Sequence, residues 1–394
     1  MFVRIKIGTH PRRGQSVPKA ALTCRHNRKQ KNHNPRTPKQ SSTNTKTPKK
    51  KRRKKQQEKK GAEVISVNLS ILPLISEELT SGIINKVDDF MGTLVIFEDI
   101  SSEKRVKTTM SRYMDPAIAD QLLEKGSEIM GGQNTEATIL FSDIRSFTNI
   151  TEQLGAQGTV KLLNQYFEIM VECITEQGGI LDKFIGDAIM AAFGLPITYD
   201  DDEDRGLKAA INMINRLWAW NQEREKVGIL PLDMGLGLNT DNVVAGNIGS
   251  EKRMDYTMIG DGVNLAARLE SACKQYNARI LISDYTFKKL KGTYRVRYID
   301  DVIVKGKTEP VGIHEVLDYH NEKTFPNLLE VVNYFNQGRE DYKLGNFDKA
   351  ILSFENCLKA NENDKLSYTY INRCKHLIKE NHADWNGIWK MDSK

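Results

Sequence analysis

Between residues 136 and 318 the hydrophobic pattern repeatedly changes period, from two residues to about 3.6 and back, and this limits the fold more than any other feature. Residues 137–141 are strand-like. Residues 160–174 are helical, with Leu163, Tyr166, Phe167, Met170 and Ile174 on one side. Ile180–Ile185 and Ala188–Phe193 read as a hairpin turning through Gly186-Asp187. Leu207, Ala210, Ile211, Ile214, Leu217 and Trp218 mark the apolar stripe of a long helix. Residues 232–238 and 243–248 read as a second hairpin, and a helix runs from Gly262 to about Tyr276. Further strands are expected at 279–282, 294–299 and 302–316. The outcome is an α+β sandwich, a βαββαβ core with extensions.

The flanks differ in composition. The net charge of +7 is concentrated in residues 1–60, which end in a run from Lys49 to Lys55, and the remainder is acidic overall. With few large apolar side chains, residues 1–60 are expected to form a disordered basic segment. A solvated tail and a surface for nucleic acid or anionic membrane both fit such a run. Residues 61–101 hold two strand-like runs, 64–74 and 93–100, too little for an independent domain. Residues 102–128 turn helical through Val106, Met110, Met114, Ile118 and Leu122, with Pro116 dividing the pattern into two pieces. A dimerising signalling helix and ordinary packing on the next domain both fit it. From 325 to 380 the spacing of Val332, Phe335, Gly338, Tyr342, Gly345, Phe347, Ala350, Phe354 and Leu358 reads as helices.

Five dispersed cysteines without CxxC spacing point to reduced thiols. No apolar run reaches membrane-spanning length and no signal-peptide core is visible, so a soluble cytoplasmic protein is expected. The seven histidines show no HExxH spacing. The acidic run Asp200-Asp201-Asp202-Glu203-Asp204 reads as a helix start, where the helix dipole favours acids. Met254 and Met258 read as core or dimer packing.

The chemistry lies in three places. Phe141-Ser142-Asp143-Ile144 and Phe184-Ile185-Gly186-Asp187 each put a carboxylate where a strand meets a turn. Two such groups can hold a pair of divalent cations. Downstream, Gly260-Asp261-Gly262-Val263-Asn264-Leu265-Ala266-Ala267-Arg268 opens a helix whose expected N-cap is Asp261. Asn264 and Arg268 are i and i+4, on one face, and can hold a polyphosphate. Together these describe chemistry on a nucleoside triphosphate.

Four ordered motifs, FSDIRSFT, DKFIGDAIMAAFG, GNIGSEKRMDYTMIGDGVNLAARLE and VKGKTEPVGIHEV, resemble the class III nucleotidyl cyclase catalytic domain, in the bacterial, cyanobacterial-type adenylate cyclase branch, over about 130–319. The resemblance implies a ferredoxin-like core; separately, residues 61–101, ending in Phe97-Glu98-Asp99-Ile100-Ser101, resemble a partial PAS/GAF remnant. The tail at 325–380, by its own spacing of small and aromatic residues, resembles a single tetratricopeptide repeat with a capping helix, which would pack on the core or on a protein partner. The cyclase resemblance further implies that Asp143, Asp187 and the Ile144 carbonyl hold two Mg²⁺ or Mn²⁺ ions per active site. Lys183 and Thr257 would read the purine, Asn264 and Arg268 would orient the ribose and stabilise transition-state charge, and Lys305 would bind the triphosphate. Guanylate cyclases generally carry Glu with Cys or Ser at the purine positions, so Lys183 with Thr257 favours ATP, and this pairing matches the subgroup often described as bicarbonate-responsive.

The expected reaction is ATP to 3′,5′-cyclic AMP and pyrophosphate, by in-line attack of the ribose 3′-hydroxyl, at composite sites of a head-to-tail homodimer. The rivals are a guanylate cyclase and a catalytically silent dimerisation or scaffold module. Asp241-Asn242 departs from the family pattern, which often has a small residue or a phosphate-binding Arg there. The GG(D/E)EF turn of diguanylate cyclases is absent.

Overall fold

A computed structural model describes residues 65–80, 83–110, 118, 131–250, 252–302, 310–380 and 385–389. The basic segment 1–60, most of the helical pattern beyond Met110, and Lys305 lie outside the described residues. The chain separates into two compact units, Met1–Arg112 and Tyr113–Lys394.

In the first unit, β1 (Val67–Thr80) and β2 (Ile83–Asp99) form an antiparallel pair with register irregularities around Ile75, and α1 (Ser101–Met110) follows. Ser101 fixes the corner: Ser66 N donates to its Oγ at 2.8 Å, and its own N–H donates to Asp99 Oδ1 at 3.0 Å. Ile71, Leu72 and residues 94–97 stay exposed, because among the described residues the sheet has two strands and no cover.

The second unit is built on β3 (Gly131–Ile144), β4 (Ile180–Ile185), β5 (Ala188–Phe193), β6 (Met234–Ser250), β7 (Arg253–Ile259), β8 (Ile280–Ser283), β9 (Val296–Val302) and β10 (Val311–Val316). The sheet order is β4-β5-β3-β6-β8-β10-β9, with β7 paired to β6. Among the described residues only β6 and β8 run parallel; the other pairs are antiparallel. Helices α2 (Phe147–Glu176) and α3 (Asp202–Lys226) bury Tyr166, Met170, Ile174, Ile214 and Leu217 against Leu140, Ile189 and Leu236 of the sheet. Helix α4 (Asp261–Tyr276) and the short α5 (Asp284–Phe287) follow.

Three tail helices, α6 (Leu328–Lys343), α7 (Phe347–Ala360) and α8 (Lys365–Lys379), share one core with α4 and the β8–β10 edge. Phe335, Tyr342, Phe354 and Tyr370 pack with Leu269, Tyr276, Leu281 and Ile299. The tail is therefore continuous with the αβ core, as its buried aromatic spacing requires. Ile118 is buried in a third cluster beside Ala137 and Ile139.

Two expectations need correcting, besides that of one strand over 302–316, where Val302 of β9 instead pairs antiparallel with Val311 of β10. The second hairpin does not turn at residues 239–242. β6 runs straight through them, paired without interruption to β3 from Met234–Ile144 to Asn247–Gly131, and it hairpins with β7 instead. The turn-forming residues there are held extended by neighbours: Thr240 Oγ1 lies 2.9 Å from Thr138 Oγ1, and Asn239 Nδ2 donates to Gly262 O at 3.0 Å. Second, Asp261 is the first helical residue of α4, and the N-cap is Gly260. The acidic run behaves as expected, supplying Asp202, Glu203 and Asp204 to the first turn of α3. Asp204 accepts from the Lys291 and Gly292 amides and the Tyr294 hydroxyl, each at 2.8 Å.

Among the described residues no helix is long and apolar enough to cross a membrane. Cys173, Cys273, Cys357 and Cys374 are buried free thiols.

Candidate active site

Asp143 leaves the sheet at the end of β3, and Asp187 sits in the turn between β4 and β5. The turn needs Gly186, whose φ of 66° lies in the left-handed region that glycine enters without strain. β3 pairs with β5 from Thr138–Phe193 to Ser142–Ile189, which brings both acids to one end of the sheet. Asp187 is pushed up to about 6, first by burial and then by the neighbouring Asp143 carboxyl. Its Oδ2 is buried without a hydrogen-bond partner.

A third acid joins them. Glu270 of α4 is pushed up to about 7 by burial and then by Asp143, with Arg145 opposing and Asp187 adding to the shift. Reading the motifs missed Glu270. The available signal was an acid four residues after Ala266 and three before Cys273, on the buried face of the helix. Behind the acids lies the Tyr166 hydroxyl, fully buried; burial raises its pKa, and the charges of Asp143, Asp187 and Glu270 add to that. Arg145 ties the exit of β3 to the far end of α4, donating to Cys273 O at 3.3 Å and to Ala278 O.

Helix α4 rests on β6 at Gly237, where a Cβ would overlap the backbone of Ala266 and Glu270. Asn264 is exposed and Arg268 partly so; neither makes a side-chain hydrogen bond or ion pair among the described residues. Asp241 lies against Gly262 in the first turn of α4, and its Oδ1 accepts from Asn242 N at 2.8 Å. A negative charge at a helix start is favourable.

Lys183 on β4 and Thr257 on β7 are brought together by a residue the motif reading passed over. Thr257 Oγ1 donates to Asp182 Oδ2 at 2.6 Å, and Lys183 Nζ lies 3.3 Å from Asp182 Oδ1. The Asp182 side chain is only 1% exposed. The DKFIGD motif contained this acid, but sequence alone could not show that it is buried.

Divalent cations fit the Asp143–Asp187 pair on the physics of the pair itself. Two carboxyls are held close, one with an orphaned buried oxygen, and cationic charge between them would remove their repulsion. Among the described residues no cluster of three or more His, Cys, Asp or Glu has metal-holding geometry, so further oxygens would come from a backbone carbonyl and a substrate.

Residues 130–322 match the family model described as Adenylate and Guanylate cyclase catalytic domain. The chain is 37% identical over 252 residues to the terminal-differentiation-specific adenylate cyclase of Dictyostelium discoideum, covering 61% of this chain and 11% of that protein. It is 39% identical over 206 residues to the adenylate cyclase of Anabaena cylindrica, covering 50% of this chain and 40% of that protein. The solved structure of a bacterial light-regulated adenylyl cyclase aligns with a TM-score of 0.50 at 27% identity, over 59% of this chain and 67% of that one. The chain thus spans two fifths or less of the length of these two curated relatives. Residues 130–322, just under half of the chain, form a class III adenylate/guanylate cyclase catalytic domain.

Proposed function

We propose that this chain is an adenylate cyclase that converts ATP to 3′,5′-cyclic AMP and pyrophosphate in composite sites of a head-to-tail homodimer. The observation that carries the reading is the Asp143–Asp187 pair, two acids held together at one sheet end with a buried oxygen left open. Structural acids in a folded chain are normally partnered; acids left open at a cleft serve a ligand.

In this reading Asp143, Asp187 and the Ile144 carbonyl hold two Mg²⁺ or Mn²⁺ ions, which supply charge neutralisation and lower the pKa of the ribose 3′-hydroxyl. The protein's own part is positioning. Asn264 orients the ribose from α4. Arg268, one turn later, offers a planar fork of donors to the α-phosphate oxygens as negative charge builds on them. Lys305 neutralises the triphosphate. Lys183 donates to adenine N1 and Thr257 accepts from the 6-amino group, which favours ATP over GTP. The acids of one protomer face the purine-reading, Asn–Arg and Lys groups of its partner, so twofold symmetry gives two equivalent sites.

The same reading takes 61–101 as a partial PAS/GAF-like segment and 102–128 as a signalling helix. It takes 325–380 as a tetratricopeptide-like tail open to a protein partner, and it places the protein in the cytoplasm. The test is incubation of the purified chain with ATP or GTP and Mg²⁺ or Mn²⁺, with products identified by mass spectrometry. Cyclic AMP from ATP is expected. Cyclic GMP as the main product, or no cyclisation by the folded dimer, overturns the reading.

A further inference from the structure

We infer that Asp182 sets the hydrogen-bonding polarity of the purine-reading pair, and with it the preference for adenine over guanine. The inference rests on the reading of Lys183 and Thr257 given above and deepens it.

A threonine hydroxyl is ambiguous. It carries one proton and two lone pairs, so it can accept from the 6-amino group of adenine or donate to O6 of guanine. By itself Thr257 selects neither base. Asp182 removes the ambiguity. An ionised carboxylate only accepts, so at 2.6 Å the Thr257 proton is committed to Asp182 Oδ2. What the hydroxyl then presents outward is lone pairs alone.

The same carboxylate acts on the lysine. Lys183 has only donors, and its ammonium lies 3.3 Å from Asp182 Oδ1 while the side chain stays 39% exposed. One side of the ammonium is held and the rest is free to donate. The pair therefore offers a donor beside an acceptor. Adenine presents N1 as acceptor and its 6-amino group as donor, which match. Guanine presents N1–H as donor and O6 as acceptor, which clash at both points.

Burial makes the device effective. With Asp182 almost fully covered, water does not compete for the Thr257 proton. Burial raises the Asp182 pKa, and the Thr257 hydroxyl followed by Lys183 work against that rise. Oδ1 has no hydrogen bond of its own beyond the neighbouring ammonium.

The experiment measures the ratio of kcat/KM for GTP to that for ATP in wild type, Asp182→Asn, Thr257→Val, Lys183→Ala and the Asp182→Asn/Thr257→Val double variant. Asparagine keeps the shape but brings its own N–H groups, so the Thr257 proton is no longer committed. The ratio should rise roughly tenfold in Asp182→Asn, the size of one mismatched bond in a base-reading pocket. The double variant should add little to Thr257→Val, since without a hydroxyl there is no polarity to set. A merely structural role would lower both rates together and leave the ratio unchanged.

An unchanged ratio in Asp182→Asn, beside a shifted ratio in Thr257→Val, overturns the inference while the purine reading stands. Unshifted ratios in both Thr257→Val and Lys183→Ala sink the purine reading itself. Where turnover is too slow to measure, calorimetric binding of α,β-methylene-ATP and α,β-methylene-GTP with Mn²⁺ decides. The two affinities should converge in Asp182→Asn, and a preserved ratio contradicts the proposal.

Discussion

Two regions of the second unit bury charge, and they treat it in opposite ways. At the seam between the tail and the αβ core, Arg297 is held between Glu315, at 2.7 Å, and both oxygens of Asp364, at 2.8 and 3.0 Å. Next to it Asp300 accepts from Arg373 at 3.0 Å and from the Tyr276 hydroxyl at 3.1 Å, and Tyr370 donates to Ile299 O at 2.7 Å. In the cleft, Asp187 Oδ2 accepts no hydrogen bond, and Asn264 and Arg268 make no side-chain hydrogen bond or ion pair among the described residues. Helix α4 spans both regions, with Tyr276 locked at one end and Asn264 open at the other. The seam charges are buried more deeply than those of the cleft, and the two regions differ in what completes the bonding. At the seam the chain completes it. In the cleft a ligand must.

The contrast should break most visibly at Asp187. Asp187→Asn removes a carboxylate whose Oδ2 has no hydrogen-bond partner and which Asp143 repels, so activity should fall about a thousandfold while stability holds or rises by about 1 kcal/mol. Rate assays and calorimetric melting on the same preparation read both. A large loss of Tm would mean that this acid is structural after all.

Arg297→Met tests the other side. It leaves Glu315 and Asp364 buried without their cation and should cost about 3–5 kcal/mol, measured by denaturant unfolding. Replacing all three by apolar residues should recover most of that loss. If the single change is neutral, the seam is not held as described. Tyr370→Phe is a smaller cut at the same place. It strands the Ile299 carbonyl and should cost about 1 kcal/mol, with the GTP/ATP ratio unchanged.

A further effect is with pH. His320 is lowered from 6.5 to about 3, by burial first and then by Arg279, Arg297 and Arg295. Between those values the unfolded chain binds a proton that the folded chain refuses, so His320 makes stability fall as pH drops below about 6.5. His320→Gln should flatten the slope of Tm between pH 7 and 4. An identical slope would assign the acid sensitivity to other groups.

The sequence carried the local features well. The β4–β5 hairpin, the apolar stripe of α3 and the end of α4 at Tyr276 all follow from period and turn chemistry, because neighbours in sequence determine them. What it hid depends on distant partners. β6 stays extended through Asn239, Thr240 and Asp241 because β3 pairs along its whole length, so long-range pairing overrode local turn preference. Asp182 and Glu270 were in plain view as acids but not as buried ones, and burial is what gives them their meaning.

The central claim is that the open groups of the cleft are halves of a site completed by a second chain. Mixing inactive Asp143→Ala with inactive Arg268→Ala tests it directly, because a mixed dimer holds one site with every residue unaltered. Random exchange makes half the dimers mixed, so cyclase activity should return to about a quarter of the wild-type rate per chain. Mixed dimers verified by native mass spectrometry that remain inactive would contradict the account.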